Sequence, residues 1–255
     1  MPYRHERRRI DSIVSGQPQA TMIIQPIKTR IFREKDDLLA FITDYFKKIP
    51  EKSVIVVTSK IVALAEGRTA IAGNTKTKEK LIRAESYLAI PTKYVWLTIK
   101  DGMIMASAGI DESNANGKLI LLPEDSFRTA RDIRNKLQRK YGVKHLGVLI
   151  TDSRTMPLRS GVTGVAVGYA GFSGIKDYRG SPDIFGRKFK FTRTNMADGL
   201  ATASVLVMGE GNEQQPLAII KEAPVEFCDK VKRTELRIDI QEDMYRPLFS
   251  KLPKL

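Results

Sequence analysis

Apolar positions along this chain fall into short continuous runs separated by stretches with helical spacing. The run SVIVVT at 53–58 is β-branched and short enough for a strand buried on both faces, and Ser59 and Lys60 stand where it ends. A second apolar run, 146–150, ends in Thr151, Asp152 and Ser153 and leads into a loop carrying Arg154 and Arg159. Residues 217–220 predict a last core strand, 119–122 a short one, 189–192 a brief one, and Ile23 and Ile24 open a strand where the folded part begins near Met22. Strands over 94–99 and 103–108 flank Lys100, Asp101 and Gly102, and Asp-Gly is a strong hairpin signal. Over 162–169 the glycines of GVTGVAVGYAG predict a strand closely approached by another backbone or a ligand.

Helical spacing appears where Asp36 and Asp37 precede Leu38, Leu39, Phe41, Ile42 and Phe46, with the acids at the positive end of the helix. A short helix over 61–68 is closed by Gly67, with Glu66 and Arg68 placed to pair at its end. A basic helix over 76–89 is stopped by Pro91. Pro123, Glu124 and Asp125 open another that reaches Tyr141, and 195–207 is a helix of small residues suited to close packing. Segments 176–180 and 183–187 are turn-rich, and from Asp229 onward the chain is a mixed, charged tail of uncertain order. Residues 1–21, with Arg4, Arg7, Arg8 and Arg9, read as a basic flexible tail, leaving 22–255 as one folded unit.

Charge changes this picture by naming partners. Lys and Arg number 43 against 29 Asp and Glu, a formal +14, which favours nucleotides, other polyanions, nucleic acid or an anionic surface. One cysteine, Cys228, excludes an intramolecular disulfide and fits a cytoplasmic protein. With His5 and His145 as the only histidines, neither a Cys/His zinc site nor a Ser-His-Asp triad is expected, so any metal should be hard and oxygen-ligated. No apolar run reaches about 18 residues and the N-terminus lacks a secretory core, so no membrane span is expected.

Three loops set acid, hydroxyl or amide groups beside glycine or a strand end: 109–114, 151–153 and 208–212. Mg²⁺ commonly takes one or two carboxylates while nucleotide phosphates complete its shell. Asp111, Asp152 and Glu210 can supply the carboxylates, and the glycines beside Glu210 let main-chain amides approach phosphate. No G-x-x-x-x-G-K-[ST] occurs, so a P-loop is unsupported. Lys60, Arg154, Arg159, Lys176, Arg179 and Arg187 are candidate anion partners or ordinary surface charges.

The order of these motifs is specific. Ser59-Lys60 with AEGR at 65–68, GIDESN at 109–114, LLP at 121–123, ITDS at 150–153, KDY at 176–178, FGR at 185–187, Ala197-Asp198 and MGEG at 208–211 together resemble the CofE family, the coenzyme F-420 (deazaflavin) γ-glutamyl ligases. The resemblance runs from about Met22 to Ile220. It implies an α+β fold with mixed and antiparallel sheets and flanking helices, a homodimer, and nucleotide-dependent addition of L-glutamate through an amide bond. It also implies GTP or ATP as cosubstrate, two Mg²⁺ or Mn²⁺ ions, and K⁺. Carried over by position, Asp111, Asp152, Ser153 and Glu210 hold metal, with Asp111, Asp152 and Glu210 the catalytic set. Ser59, Lys60, Asn114, Met208, Gly209, Glu210, Gly211, Asn212, Glu213, Gln214 and Gln215 contact nucleotide, joined by residues 29–32.

Two positions depart from the family. Leu64 stands where a lysine is usual, and Arg154-Thr155-Met156 replaces the usual continuation x-G-R after Asp152-Ser153. The expected reaction is phosphorylation of an acceptor carboxylate, then displacement of the acyl phosphate by the glutamate amine. A folate-type acceptor is an alternative within the class. A nucleic-acid-binding protein is the alternative outside it, though no recognition module supports that reading. A family member that binds nucleotide without catalysis is a third.

Overall fold

The computed structural model describes residues 21–249. In chain order its elements are β1 (Ile23–Ile27), α1 (Leu38–Tyr45), β2 (Ser53–Thr58), α2 (Ser59–Glu66), β3 (Thr69–Ile71), α3 (Thr75–Ala84), β4 (Leu88–Pro91), β5 (Trp96–Lys100), β6 (Met103–Ala106), β7 (Lys118–Ile120), α4 (Ser126–Tyr141), β8 (Leu146–Thr155), β9 (Val162–Ala170), β10 (Ile175–Asp177), β11 (Arg193–Asn195), α5 (Met196–Met208), β12 (Leu217–Lys221) and α6 (Arg246–Phe249). This is a mixed α+β fold. The central sheet has the order β1-β12-β2-β8-β9, and β2 and β8 are its one parallel pair, with Thr58 opposite Thr151. Small sheets β3-β7, β4-β5-β6 and β10-β11 flank it.

Strand β2 is central because both its faces are apolar. Ile55 and Val57 meet Val148 and Ile150 of β8 and the inner faces of α1, α2 and α4, among them Phe41, Val62 and Leu137. Val54 and Val56 face the other way, with Leu149, onto Leu200, Ala201 and Met208 of α5. Helices α1, α4 and α5 begin on side-chain caps. Asp37, Asp125 and Asn195 accept from the main-chain N–H of Ala40, Arg128 and Asp198 respectively. Gly67 closes α2 in the left-handed conformation at φ 68°.

The glycines of β9 are approached by backbone on both faces of the sheet. A Cβ on Gly164 would lie 2.4 Å from the Ala201 carbonyl oxygen of α5, and one on Gly168 would lie 2.5 Å from the Ser126 carbonyl carbon at the start of α4. Between them the β8–β9 register shifts by one residue, because Ile150 pairs with Gly168 but Thr151 with Ala166. Asp198 accepts from the Ala166 N–H at 2.8 Å and so ties α5 to this bulge.

Several expectations need correction. Strand β8 does not end at Ile150 but continues to Thr155, because residues 151–155 keep antiparallel partners on β9. Helix α2 starts at Ser59 rather than Ile61, and α3 stops at Ala84 instead of reaching Ala89. Residues 88–91 are drawn into β4 by pairing with β5, and Pro91 is tolerated there because β4 is an edge strand. The strand expected at 189–192 is absent, and β10 and β11 pair instead. Glu66 and Arg68 do not pair. Arg68 binds Glu85 at 2.7 Å, and Glu66 accepts from the Glu124 N–H and the Thr129 hydroxyl.

Residues 229–236, expected to open a tail of uncertain order, are anchored to the core. Asp229 meets Arg134 at 2.8 Å, Arg233 meets Asp125 at 2.6 Å, and Glu235 accepts from the Gly174 N–H at 2.8 Å and from the buried Tyr169 hydroxyl. Burial and that carboxylate together push the Tyr169 hydroxyl far above the ordinary phenol range. The basic tail expected at 1–21 lies, apart from Thr21, outside the described residues. Among those described, no helix is long and apolar enough to cross a membrane.

Candidate functional site

Pairing β2 with β8 in parallel puts the carboxyl ends of two buried strands side by side, a place where open sheets commonly hold ligands. Chain direction then does the rest. Thr58 passes into α2, so Ser59 and Lys60 form its first turn, while β8 continues through Asp152. The buried Ser59 hydroxyl donates to Asp152 Oδ1 at 3.1 Å.

Alternation along β8 separates the next side chains. Val148 and Ile150 pack toward α1, α2 and α4, and Leu149 toward α5. Asp152 therefore points to the α2 side and Ser153 to the α5 side, where its hydroxyl donates to Glu210 Oε1 at 2.5 Å. Glu210 follows the C-cap Gly209 of α5.

Asp111 arrives from a third direction, on a loop with an unusual backbone. Ser107, Ala108 and Gly109 are successive residues at positive φ (50°, 57° and 71°), followed by Asn114, Asn116 and Gly117. A left-handed Ser or Ala costs on the order of 1 kcal/mol and persists only where the surroundings fix it. Here the fully buried Thr98 of β5 does so: its hydroxyl accepts from the Ala108 N–H at 2.8 Å and donates to the Met105 carbonyl at 2.7 Å. Asp111 then exchanges both main-chain hydrogen bonds with Ile120, each 2.9 Å, which aims its carboxylate at α2.

That carboxylate is held by two groups. Lys60 Nζ lies 2.7 Å from Asp111 Oδ2, 2.8 Å from the Ser113 carbonyl oxygen and 3.0 Å from Ser113 Oγ. The Ser113 N–H and hydroxyl donate to Asp111 at 2.7 and 2.9 Å. Burial alone would raise the Asp111 pKa, but Lys60 and Ser113 bring it below the ordinary value. Asp152 goes the other way. Burial raises it, and the nearby Arg154 charge and the Ser59 hydroxyl only partly offset that rise.

Arg154 is buried two residues further along the same face of β8, with no carboxylate within 4 Å among the described residues. Its Nε and Nη2 have no hydrogen-bond partner, and Nη1 reaches only the Ile104 carbonyl at 3.5 Å. Arg179 is spoken for by Asp177, whose carboxyl it holds at about 2, while Arg159, Lys176 and Arg187 are exposed.

The loop after α5 closes the last side. Asn114 Nδ2 donates to the Gly211 carbonyl at 3.1 Å, and Glu213 accepts from the Gly211 N–H at 2.8 Å. Gln214 accepts from the Thr29 N–H at 2.9 Å, bringing residues 29–32 alongside. In the amide orientation that satisfies its neighbours, Gln215 donates to the Val207 and Met208 carbonyls, each 3.2 Å away. Met208 is buried in the core rather than facing the loop, and Asn212 is exposed.

Contacts near the ends of β2 and β8 thus join Ser59 to Asp152, Lys60 to Asp111 and Asn114 to Gly211, while Ser153 and Glu210 pair on the α5 side of the sheet. Among the described residues no three Asp, Glu, His or Cys side chains close into a metal cage. The donors present are nevertheless all hard oxygens, and Asp152 is a desolvated acid with no cation in ion-pair contact. Such a set suits a hard divalent ion whose remaining ligands come from phosphate. No sequence signal gives Ser113 a separate role, although it lies within GIDESN at 109–114. Thr98 carried no signal at all, because its function is a hydrogen bond to a residue ten positions away.

Comparison with known proteins identifies the family. The family model described as F420-0:gamma-glutamyl ligase matches residues 26–222. The chain is 35% identical over 221 residues to the coenzyme F420:L-glutamate ligase of Methanopyrus kandleri, covering 79% of this chain and 87% of that protein. It is 30% identical over 250 residues to the coenzyme F420:L-glutamate ligase of Methanococcus maripaludis strain C7, covering 88% of this chain and all of that one. Against the Haloarcula marismortui protein of the same name it is 39% identical over 148 residues, 58% of this chain and 56% of that one.

Proposed function

The chain belongs to the F420-0:gamma-glutamyl ligase family, and on that premise we propose that it joins L-glutamate by an amide bond to a carboxylate-terminated, deazaflavin-type cofactor. The observation that carries this reading is the pair of contacts at the ends of β2 and β8, where Ser59 meets Asp152 and Lys60 meets Asp111. A nucleoside triphosphate drives the reaction, because a carboxylate has no leaving group of its own.

An acceptor carboxylate oxygen attacks the γ-phosphorus, the bond to the bridging oxygen breaks, and the nucleoside diphosphate departs. The glutamate nitrogen then attacks the acyl carbon, the carbon–oxygen bond to phosphate breaks, and the nitrogen's proton is released. Lys60 and the first turn of α2 face the phosphates with positive charge and N–H donors. Asn114 and residues 208–215 border the nucleotide, with Gly209 and Gly211 letting main chain approach it. Asp111, Asp152, Ser153 and Glu210 are the groups that would hold divalent metal, which when bound neutralises charge on the transferring phosphoryl group. GTP or ATP, Mg²⁺ or Mn²⁺ with K⁺, and a homodimer complete the reading.

Mass spectrometry of reactions containing GTP or ATP, Mg²⁺ or Mn²⁺, L-glutamate and either deazaflavin or folate acceptors tests it. Added glutamyl mass on the deazaflavin, lost in Asp152→Asn at unchanged melting temperature, is the expected result. Near-normal turnover by Asp152→Asn would remove that residue from the mechanism.

A further inference from the structure

Lys60 and Asp111, both candidate ligand-binding groups, satisfy each other. An ammonium has three N–H donors. Those of Lys60 face three oxygens of a single turn: the Asp111 carboxylate at 2.7 Å, the Ser113 carbonyl at 2.8 Å and the Ser113 hydroxyl at 3.0 Å. Carboxylate, carbonyl and hydroxyl are also the donors that a hard metal ion selects. The Ser113 N–H and hydroxyl fix the carboxylate, so this oxygen cup is preformed.

The pair is not sealed in. The side chain of Asp111 is 43% exposed and that of Lys60 27%, so water and ions reach it, and an exposed ion pair is weak enough to exchange. Lys60 is anchored in the first turn of α2 beside Ser59, so its long stem can leave the cup without moving the helix.

We propose that Lys60 is an internal counter-ion: it occupies the cation position at Asp111 while the cleft lacks nucleotide, and cedes it to a divalent cation arriving with a triphosphate, whose phosphate oxygens then take the ammonium. The inference rests on Asp111 being a metal ligand. Its consequence is coupling: the lysine opposes metal alone, favours nucleotide, and makes each ligand strengthen the other by the same factor.

Binding of Mn²⁺ to the full chain, followed by electron paramagnetic resonance of the free ion, tests this, with a non-hydrolysable GTP analogue titrated separately. Lys60→Met should tighten Mn²⁺ binding without nucleotide by roughly three- to fivefold, and weaken binding of the analogue. Unchanged or weaker Mn²⁺ binding in Lys60→Met overturns the proposal, as does a failure of either protein to bind the ion. Asp111→Asn separates this from the underlying reading. If both wild type and Lys60→Met bind Mn²⁺ regardless of Asp111, Asp111 is no ligand and the reading itself fails. Mn²⁺ binding that needs Asp111 but ignores Lys60 sinks only the counter-ion. Melting temperatures confirm that each variant is folded.

Discussion

Replacing Gly164 by Ala should destabilise the protein and misplace one wall of the cleft. An added Cβ would stand 2.4 Å from the Ala201 carbonyl oxygen and 2.7 Å from Val205 Cγ2, so α5 must withdraw by about 1 Å to reach ordinary contact. It cannot do so freely, because Thr202 Oγ1 donates to the Gly164 carbonyl at 2.8 Å and meets Thr163 Oγ1 at 3.2 Å. Overpacking of this kind costs roughly 1–3 kcal/mol, and a strained hydrogen bond about 1 more. The lower backbone entropy of unfolded Ala returns about 0.5–1 kcal/mol. A net loss of about 1–3.5 kcal/mol lowers the melting temperature by roughly 2–14 °C for a chain of this size. Gly164 pairs with Ser153, whose hydroxyl holds Glu210 just beyond α5, so ligation should fall as well. The control is Gly199→Ala on the same helix, where an added Cβ meets nothing within 4 Å. That change should raise stability by about 0.5–1 kcal/mol. Paired thermal and urea melts decide the matter. If Gly164→Ala melts within about a degree of wild type, the close approach of α5 to β9 does not constrain the fold.

Arg154→Met, which keeps the apolar stem and removes a buried charge lacking an ion pair, should raise the ligand-free melting temperature by a few degrees, reflecting about 1–3 kcal/mol; a lower melting temperature would mean that its contact with Ile104 outweighs the cost of burial. For pH, burial would raise the Glu85 pKa, but Lys100 and Arg68 more than reverse this, so the folded value lies below the unfolded one. The unfolded chain therefore binds the proton more readily, and stability from Glu85 is complete above about pH 4.3 and lost as pH falls through its folded pKa. The difference in urea midpoint between wild type and Glu85→Gln should thus shrink on acidification from pH 7 to pH 3, and a constant difference would refute the assignment.

Local signals carried much of the fold. The β-branched run of β2, the Asp-Gly turn between β5 and β6 and the Asp125 cap of α4 each depend on neighbours in sequence, and each formed where expected. What failed was decided by partners at a distance. Polar residues 152–155 resemble a loop until β9 pairs with them, and Pro91 resembles a helix stop until β5 recruits it to an edge. At the candidate site, the resemblance names Asp111, Asp152 and Glu210, but no spacing reveals that Lys60 and Ser113 close on Asp111, that Glu210 meets Ser153, or that neighbouring Asp152 and Ser153 face opposite sides of the sheet.

The sheet order also governs how the molecule forms. Apart from the β8–β9 hairpin, every strand of the central sheet pairs with one distant in sequence, as Thr58 with Thr151 and Ile23 with Lys221. Such connectivity makes loop closure the slow part of folding, since its entropic cost precedes any reward. The cleft is stitched by the same long spans, 93 residues between Ser59 and Asp152 and 97 between Asn114 and Gly211. These side-chain contacts therefore depend on the same long-range closures that build the sheet. A nascent or partly unfolded chain would hold its acidic loops apart until the barrier to the native state has been crossed.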